Sequence, residues 1–140
     1  MYFDKNYLVL EAIDSDDNIT LCSKIIKKGD SFRLSFQNSI SKTMAIEKFN
    51  VLDVNAIELT EFRYQSCDAG FPLGINYDFS IEDGYMVIKG INRIFTEINN
   101  VRIATNYPHY LLIGNFKCNL TKKAAGHTLL IRVKRLFSGI

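Results

Sequence analysis

No carboxylate side chain occurs after Glu97, although 43 more residues follow. Those residues still include seven Lys and Arg side chains, so their formal charge is +7. The preceding part has 10 Lys and Arg against 15 Asp and Glu, so the overall charge of +2 is the difference between an acidic part and a basic part. Segregated charge of this kind favours electrostatically guided binding of a partner.

Long apolar runs are also absent. No stretch approaches the ~18 apolar residues of a membrane-spanning helix, and the start of the sequence does not resemble a secretion signal. We therefore expect a cytoplasmic protein without a membrane partner. The composition is 47% apolar and 23% charged, which is typical of globular proteins, and we predict one domain over residues 1–140.

Motifs of the common enzyme and cofactor-binding classes are missing. There is no G-x-S-x-G, G-x-x-x-x-G-K-[ST], G-x-G-x-x-G or H-E-x-x-H pattern. The widely spaced Cys22, Cys67 and Cys118 form no C-x-x-C pair, which favours structural thiols over a metal or redox site. We predict no catalytic residue, no metal and no cofactor, and we favour a binding protein over an enzyme.

Short apolar stretches separated by turn residues run through most of the sequence. The first three, at residues 7–13, 19–27 and 32–36, predict an antiparallel meander. Residues 75–81 alternate with period two before Asp83-Gly84, which predicts a type I′ hairpin, and Asn99-Asn100 predicts a second one. The pattern predicts a mainly β protein, an antiparallel sandwich or barrel of about nine or ten short strands.

One segment has the features of a helix. Ser41 is a possible N-cap residue, and Ile46 and Phe49 have the i, i+3 spacing of one helical face. We predict at most one short helix, near residues 41–49.

We predict that the late cations form a partner-binding basic patch. Alternation along residues 128–135 places Arg132 and Lys134 on the same face of a strand. The predicted patch comprises Lys117, Lys122, Lys123, Arg132, Lys134 and Arg135. Tyr107 and Tyr110 are predicted to add aromatic contacts. Lys and Arg also solvate a sheet face or protect its edge, and this simpler interpretation stays open.

The acidic part contains a matching cluster. Asp14, Asp16 and Asp17 lie in a turn-like segment and predict an exposed hairpin tip that could dock to a basic partner. Calcium binding is disfavoured because position twelve of an EF-hand loop starting at Asp14 would be Ile25.

The two histidines, His109 and His127, allow one enzymatic hypothesis. With Lys122 or Lys123 they could perform the acid and base steps of a small metal-independent ribonuclease, provided that the fold brings them together.

The predicted function is electrostatically guided protein–protein docking without catalysis. A stoichiometric inhibitor, such as a toxin-immunity protein or a phage antagonist, is one form that such a protein takes. The first alternative is a nucleic-acid-binding β-barrel that uses the basic C-terminal region, and the second is the ribonuclease. The sequence does not indicate the oligomeric state.

Overall fold

The computed structural model describes residues 7–37, 43–65 and 78–136. Their secondary structure consists of eleven strands and one short helix. In chain order the elements are β1 (Tyr7–Asp14), β2 (Ile19–Lys27), β3 (Ser31–Gln37), β4 (Met44–Asp53), β5 (Ala56–Tyr64), β6 (Asp78–Glu82), β7 (Tyr85–Phe95), β8 (Ile98–Arg102), β9 (Tyr110–Ile113), β10 (Phe116–Asn119), α1 (Leu120–Ala124) and β11 (Thr128–Arg135).

Two antiparallel sheets contain these strands. The smaller sheet has the order β2-β1-β11-β8, and the larger has the order β10-β9-β3-β4-β5-β7-β6. Each sheet has two edge strands within the described residues, so neither closes on itself. The predicted mainly β class is confirmed, and the arrangement is the sandwich-like one.

A cluster of buried apolar side chains draws on both sheets. Leu10 and Ile131 come from neighbouring strands of the smaller sheet, whereas Phe32 and Phe49 come from the larger one. The two phenyl rings stack with their centroids 5.0 Å apart. Because burying a side chain of this size contributes about 1.5–3 kcal/mol, this shared cluster is the main force that holds the sheets together.

The predicted type I′ hairpin is confirmed. Asp83 and Gly84 connect β6 to β7 and have φ angles of 51° and 82°. A type I′ turn requires positive φ at both central residues, and Asp and Gly tolerate that conformation better than most residues. The turn between β1 and β2 likewise ends with Asn18 at a φ of 55°.

The predicted meander is wrong for its third strand. β1 pairs with β2, but β3 pairs with β4 and β9 in the larger sheet. Gly29 lies between β2 and β3, and its amide donates to the carbonyl of Val51 on the larger sheet. An alternating pattern identifies strands but does not specify their partners, so a change of sheet between consecutive strands leaves no signal in it.

The predicted helix near residues 41–49 is wrong from Met44 onward, where the chain forms β4. This strand is paired on both sides, with β3 and with β5. Ala45, Phe49 and Val51 all face the buried side of the sheet. Pairing and burial outweigh a weak local helix preference over so short a segment.

The predicted hairpin at Asn99-Asn100 is also wrong. Both residues lie inside β8, which pairs with β11 rather than with β7. The register places Val101 opposite Leu129 and Ile98 opposite Ile131, so β8 contains one extra residue there. The positive φ of Asn100, 61°, accommodates a β-bulge and not a turn.

Some predictions fall on residues outside the described ranges. They concern Ser41, Cys67 and the first three residues of the segment 75–81. Among the described residues, no helix has the length and apolar character needed to cross a membrane.

Candidate functional site

A hydrogen bond joins the β1–β2 turn to the loop before β11. Oδ2 of Asp14 lies 2.6 Å from Nδ1 of His127, and the two residues are 113 positions apart in the chain. The Asp14 side chain is 4% exposed and that of His127 is 40% exposed. Because β1 and β11 are neighbouring strands, this pair, which we call the Asp14–His127 clasp, fixes one end of the smaller sheet.

Backbone hydrogen bonds complete the connection at the clasp. Oδ1 of Asp14 accepts from the amides of Asp16 and Asp17 at 3.0 and 3.3 Å. The Ser15 hydroxyl donates to the Thr128 carbonyl at 3.0 Å, and the Thr128 amide donates to Oδ2 of Asp16 at 3.1 Å. Of the three predicted tip carboxylates, Asp14 is buried, whereas Asp16 and Asp17 are exposed. Asp16 accepts the hydrogen bond from Thr128, and Oδ2 of Asp17 lies 3.6 Å from Nδ1 of His127.

The clasp shifts the pKa values of both partners in the direction that favours an ion pair. The hydrogen bond to Asp14 and the nearby carboxylates raise the pKa of His127. For Asp14, desolvation acts to raise the pKa, but the hydrogen bonds from His127 and from two backbone amides outweigh it and lower the pKa. Both groups are consequently charged over a wide pH range.

Asp14, Asp17 and His127 each place a possible ligand atom within 4.8 Å of the other two. Oxygen and imidazole ligands suit several divalent cations. Nδ1 of His127 lies nearest both carboxylates, however, and beside the ionised Asp14 carboxylate it acts as a hydrogen-bond donor. These hydrogen bonds explain the cluster as a structural fastening.

His109 has very different surroundings. Its side chain is buried, its Nδ1 accepts from the Ala104 amide at 3.4 Å, and its ring lies 5.7 Å from that of Phe36. Burial lowers the pKa of His109, and its buried Nε2 has no hydrogen-bond partner among the residues that the structure describes. With one imidazole in the interior and that of His127 bonded to Asp14, the arrangement gives the ribonuclease hypothesis no support.

Four lysines lie on β2, an edge strand of the smaller sheet, on β10, an edge strand of the larger one, and on α1. Lys117 is opposite Leu112 and so faces outward from β10, on the other side of that strand from Phe116. Nζ of Lys24 lies 5.4 Å from the ring centroid of Phe116, and Nζ of Lys117 lies 4.1 Å from that of Tyr110. Asn119 caps α1 by accepting from the Lys122 amide at 3.0 Å, which places Lys122 and Lys123 in the exposed turn. We call Lys24, Lys117, Lys122 and Lys123 the lysine corner.

Lys123 links the two sides of this corner. It is close enough to Cys22 on β2 and to Cys118 on β10 for its charge to act on both thiols: it adds to the lowering of the Cys118 pKa and opposes the rise of the Cys22 pKa, both of which are caused mainly by the hydrogen bond between the thiols. Among the described residues, no member of the lysine corner forms an ion pair with a carboxylate. The corner is thus a region of uncompensated positive charge.

The structure divides the predicted basic patch between the two sheets. Arg132 and Lys134 share a face of β11, as the alternation predicted, and both contact Glu11 on β1 at 3.1 and 3.4 Å. The Glu11 carboxylate is 9% exposed, so it is a strong local partner. Arg135 lies near the end of the same strand, and its charge contributes to lowering the pKa of Asp53. These three cations are partly compensated.

The thiols of Cys22 and Cys118 lie against each other across the two sheets. Their hydrogen bond lowers the pKa of Cys118 to about 7. The same hydrogen bond, together with burial, raises the pKa of Cys22. This pairing means that the Cys22 thiol donates to a Cys118 sulfur that readily becomes a thiolate.

A family model described as a domain of unknown function, DUF1850, matches residues 32–120. The match covers more than half of the chain. The chain belongs to the DUF1850 family. No curated protein and no solved structure matches it.

The DUF1850 match spans the strands from β3 to β10 and ends at the first residue of α1. It therefore includes the larger sheet except Ser31, together with β8, and it leaves out β1, β2 and β11 of the smaller sheet. Of the lysine corner, Lys117 lies inside the DUF1850 match, whereas Lys24, Lys122 and Lys123 lie outside it. Both partners of the clasp are outside it as well.

Two contributors were missing from the sequence-based prediction for this DUF1850 chain. Lys24 belongs to the acidic part of the sequence, and it reaches the late lysines only because β2 and β10 are brought together. Glu11 reads as an ordinary solvent-facing residue of β1, yet it binds two late cations. Both effects follow from strand order, which short-range alternation does not encode.

Proposed function

We propose that the chain is a non-enzymatic binding protein that docks an acidic surface of a macromolecular partner onto the lysine corner. The observation that supports this proposal is that four lysines on the neighbouring elements β2, β10 and α1 have no carboxylate ion-pair partner in the described part of the chain.

Unneutralised charge at one edge of a rigid body has a defined consequence for association. A cluster of like charges creates a local potential that attracts an oppositely charged surface and raises the association rate. It also repels itself, which slightly destabilises the unbound protein. A partner that supplies carboxylates removes that repulsion on binding.

The surroundings of the lysines favour a protein partner over single-stranded nucleic acid. Sequence-tolerant single-strand binders stack bases on exposed aromatic rings. Here Lys117 lies over the ring of Tyr110, and Lys24 lies over that of Phe116, which also packs against the core. Both rings are half-buried and carry an intramolecular cation on the available face.

The more specific parts of the sequence-based hypothesis remain predictions. They are a stoichiometric inhibitor of the toxin-immunity or phage-antagonist kind, a cytoplasmic location and a single domain over residues 1–140. Tyr107 and Tyr110, predicted as contact residues, lie beside the corner because the Tyr107 carbonyl accepts from Thr121 on α1 at 2.7 Å.

A charge-removal experiment tests the proposal. The four corner lysines are changed to Gln in one variant, and Lys27, Lys28, Arg93 and Arg102 are changed to Gln in a charge-matched control. Immobilised wild type and variants capture proteins from cells that express the gene, at low and high salt, and mass spectrometry identifies them. We expect an acidic protein that the wild type and the control retain, that the corner variant loses, and that high salt releases.

Fluorescence polarisation with labelled single-stranded RNA and DNA examines the nucleic-acid alternative. Salt-dependent binding of these oligonucleotides by the wild type but not by the corner variant would replace the protein partner with nucleic acid. Equal capture of every protein by the corner variant and the control would overturn the proposal altogether.

A further inference from the structure

The outward face of the larger sheet contains a groove of about 410 Å³. Side chains of β3, β4, β5 and β7 line it, and the polar ones are Ser31, Arg33, Lys48, Glu61, Arg63 and Tyr85. The volume is within the range of small-molecule sites, roughly 300–1,000 Å³. The groove lies on the opposite face of this sheet from the core residues Phe32 and Phe49.

The strand register explains how the charged side chains meet. Arg33 on β3 is directly opposite Lys48 on β4, and Lys48 is directly opposite Glu61 on β5. Side chains of opposed residues project from the same face, with their Cβ atoms about 4.5–5.5 Å apart. Three charged residues therefore form one row across the floor of the groove.

The single carboxylate of this row is already engaged. Oε2 of Glu61 lies 2.6 Å from Nε of Arg63, and Arg63 also approaches Glu82 at 3.7 Å. Among the residues that the structure describes, neither Arg33 nor Lys48 has an ion-pair partner within 4.0 Å. Directly opposed like charges destabilise a sheet, so these two cations are kept together at a cost in stability.

We propose that this groove binds a small organic molecule through a phosphate monoester group held by Arg33 and Lys48. Three cations against one carboxylate leave the lining with two uncompensated positive charges. A phosphate monoester carries about −1.5 to −2 charges near neutral pH, which matches that excess, whereas a carboxylate carries one. An Arg guanidinium offers several donors for phosphate oxygens, and Lys adds a point charge.

The remaining lining residues fit the organic part of such a ligand. Ile46 and Leu112 give the groove apolar surface, and Tyr85 offers an aromatic ring with a hydroxyl group. Sites of this kind combine apolar surface with a few convergent polar groups. The groove shares no lining residue with the lysine corner, although Lys117 is directly opposite the lining residue Leu112. Variants that test the groove therefore keep Lys117, so that the two proposals can fail separately.

Titration calorimetry with phenyl phosphate, benzoate and inorganic phosphate tests the inference. Phenyl phosphate shares its ring with benzoate and its phosphate with inorganic phosphate. The series therefore separates the contribution of the phosphate group to binding from that of the ring. We expect one phenyl phosphate per chain, binding at least about ten-fold weaker for benzoate, and weaker binding of inorganic phosphate than of the ester. Equal affinity for benzoate would overturn the phosphate assignment, and equal affinity for inorganic phosphate would overturn the organic part.

Variants locate the site. Arg33→Gln and Lys48→Gln should each weaken phenyl phosphate binding roughly 10–100-fold, because each removes a charge-assisted contact. Arg102→Gln, on the other sheet, and a variant with Lys24, Lys122 and Lys123 changed to Gln should bind as the wild type does. Unchanged binding by both groove variants would overturn the location.

Urea unfolding without ligand shows whether a variant fails to bind only because it is less stably folded. Lys48→Gln removes the repulsion between opposed cations, so its unfolding midpoint should be equal to or above that of the wild type. A variant that is at least as stable but no longer binds identifies a ligand contact. A large fall in the midpoint would contradict the proposed strain between Arg33 and Lys48.

Discussion

The two imidazoles differ because one is desolvated and the other is paired. Burial keeps His109 neutral, whereas Asp14 holds a proton on His127. A His whose folded pKa is lowered from its ordinary value of 6.5 stabilises the fold less as the pH falls through that region. One whose folded pKa is raised contributes fully below 6.5 and loses that contribution as the pH rises through the folded pKa.

Asp14 sets the acid limit of the clasp. Its folded pKa is lower than its ordinary value of 3.8, so its contribution is present above 3.8 and is lost as the pH falls through the folded pKa. The clasp therefore stabilises the fold most between pH 3.8 and pH 6.5, where both partners are charged.

These signs predict opposite pH profiles for two matched variants. The loss of unfolding free energy in His127→Gln should be larger at about pH 5.5 than at about pH 8.5, because the ion pair is present at the lower pH. For His109→Gln the loss should be smaller at about pH 5.5, because the wild type there is already weakened by protonation of a buried ring. Urea unfolding at both pH values measures the two differences, and parallel profiles would contradict the assignment.

At the residue scale, the sequence predicted the strand face that a side chain occupies better than it predicted the residues that the side chain contacts. Alternation correctly placed Arg132 and Lys134 on one face of their strand. It did not reveal Glu11 between them, because that residue comes from a strand more than one hundred positions earlier. The tip carboxylate Asp14 was expected in solvent for the same reason.

At the scale of single elements, β8 shows how one asparagine serves two kinds of structure. Asn tolerates positive φ in a tight turn and in a β-bulge alike. At Asn100 the chain uses it for a bulge, which shifts the register against β11 by one residue. The predicted turn at Asp83-Gly84 succeeded because two such residues lie between strands with matching alternation, a more specific pattern.

The bulge makes a prediction about substitution. Asn100→Val should destabilise the protein by about 1–2 kcal/mol, because a β-branched residue tolerates positive φ poorly. Asn100→Gly should be close to neutral, because Gly adopts that conformation without strain. Urea unfolding at equilibrium measures both.

Asn99→Val is the matched control, since Asn99 is its exposed neighbour and does not have a positive φ. It should change the unfolding free energy by less than about 0.5 kcal/mol. Similar destabilisation by Val at both positions would show that strand polarity, and not backbone conformation, governs this segment.

At the scale of the whole molecule, the Cys22–Cys118 contact crosses from one sheet to the other. Oxidised glutathione should convert the pair to an intramolecular disulfide: the Cys118 thiolate attacks the oxidant and releases one glutathione, and Cys22 then displaces the second. A loop of almost one hundred residues would be closed, which predicts a gain of roughly 2–4 kcal/mol in unfolding free energy.

The experiment is cleanest in a Cys67→Ser background, where two thiols remain. Mass spectrometry should find the loss of two hydrogen atoms from a monomeric chain and a peptide that contains both cysteines. Cys22→Ser and Cys118→Ser, each in that background, are the controls and should give no such product. Disulfide-linked dimers without the internal cross-link would contradict the contact between the two thiols.

The sandwich-like fold class followed from alternation and turn residues, but the location of the charge did not. Six late cations were predicted to form one patch, yet β10 and β11 belong to different sheets and separate Lys117 from Arg132. The lysine corner exists because β2 supplies Lys24 to the edge where β10 and α1 lie. Strand order decides these neighbours, and strand order depends on packing across the whole chain.

The pairing of β1 with β11 also determines when the smaller sheet can form during translation. Ser15 and its partner Thr128 are 113 residues apart, an interval that a ribosome needs roughly 6–23 s to translate. Until β11 is made, the hairpin of β1 and β2 lacks its neighbour in the smaller sheet. The described strands of the larger sheet are all made before β11. The nascent chain therefore exposes the edge of β1 that pairs with β11 until β11 has been made, and during this period it is more open to aggregation.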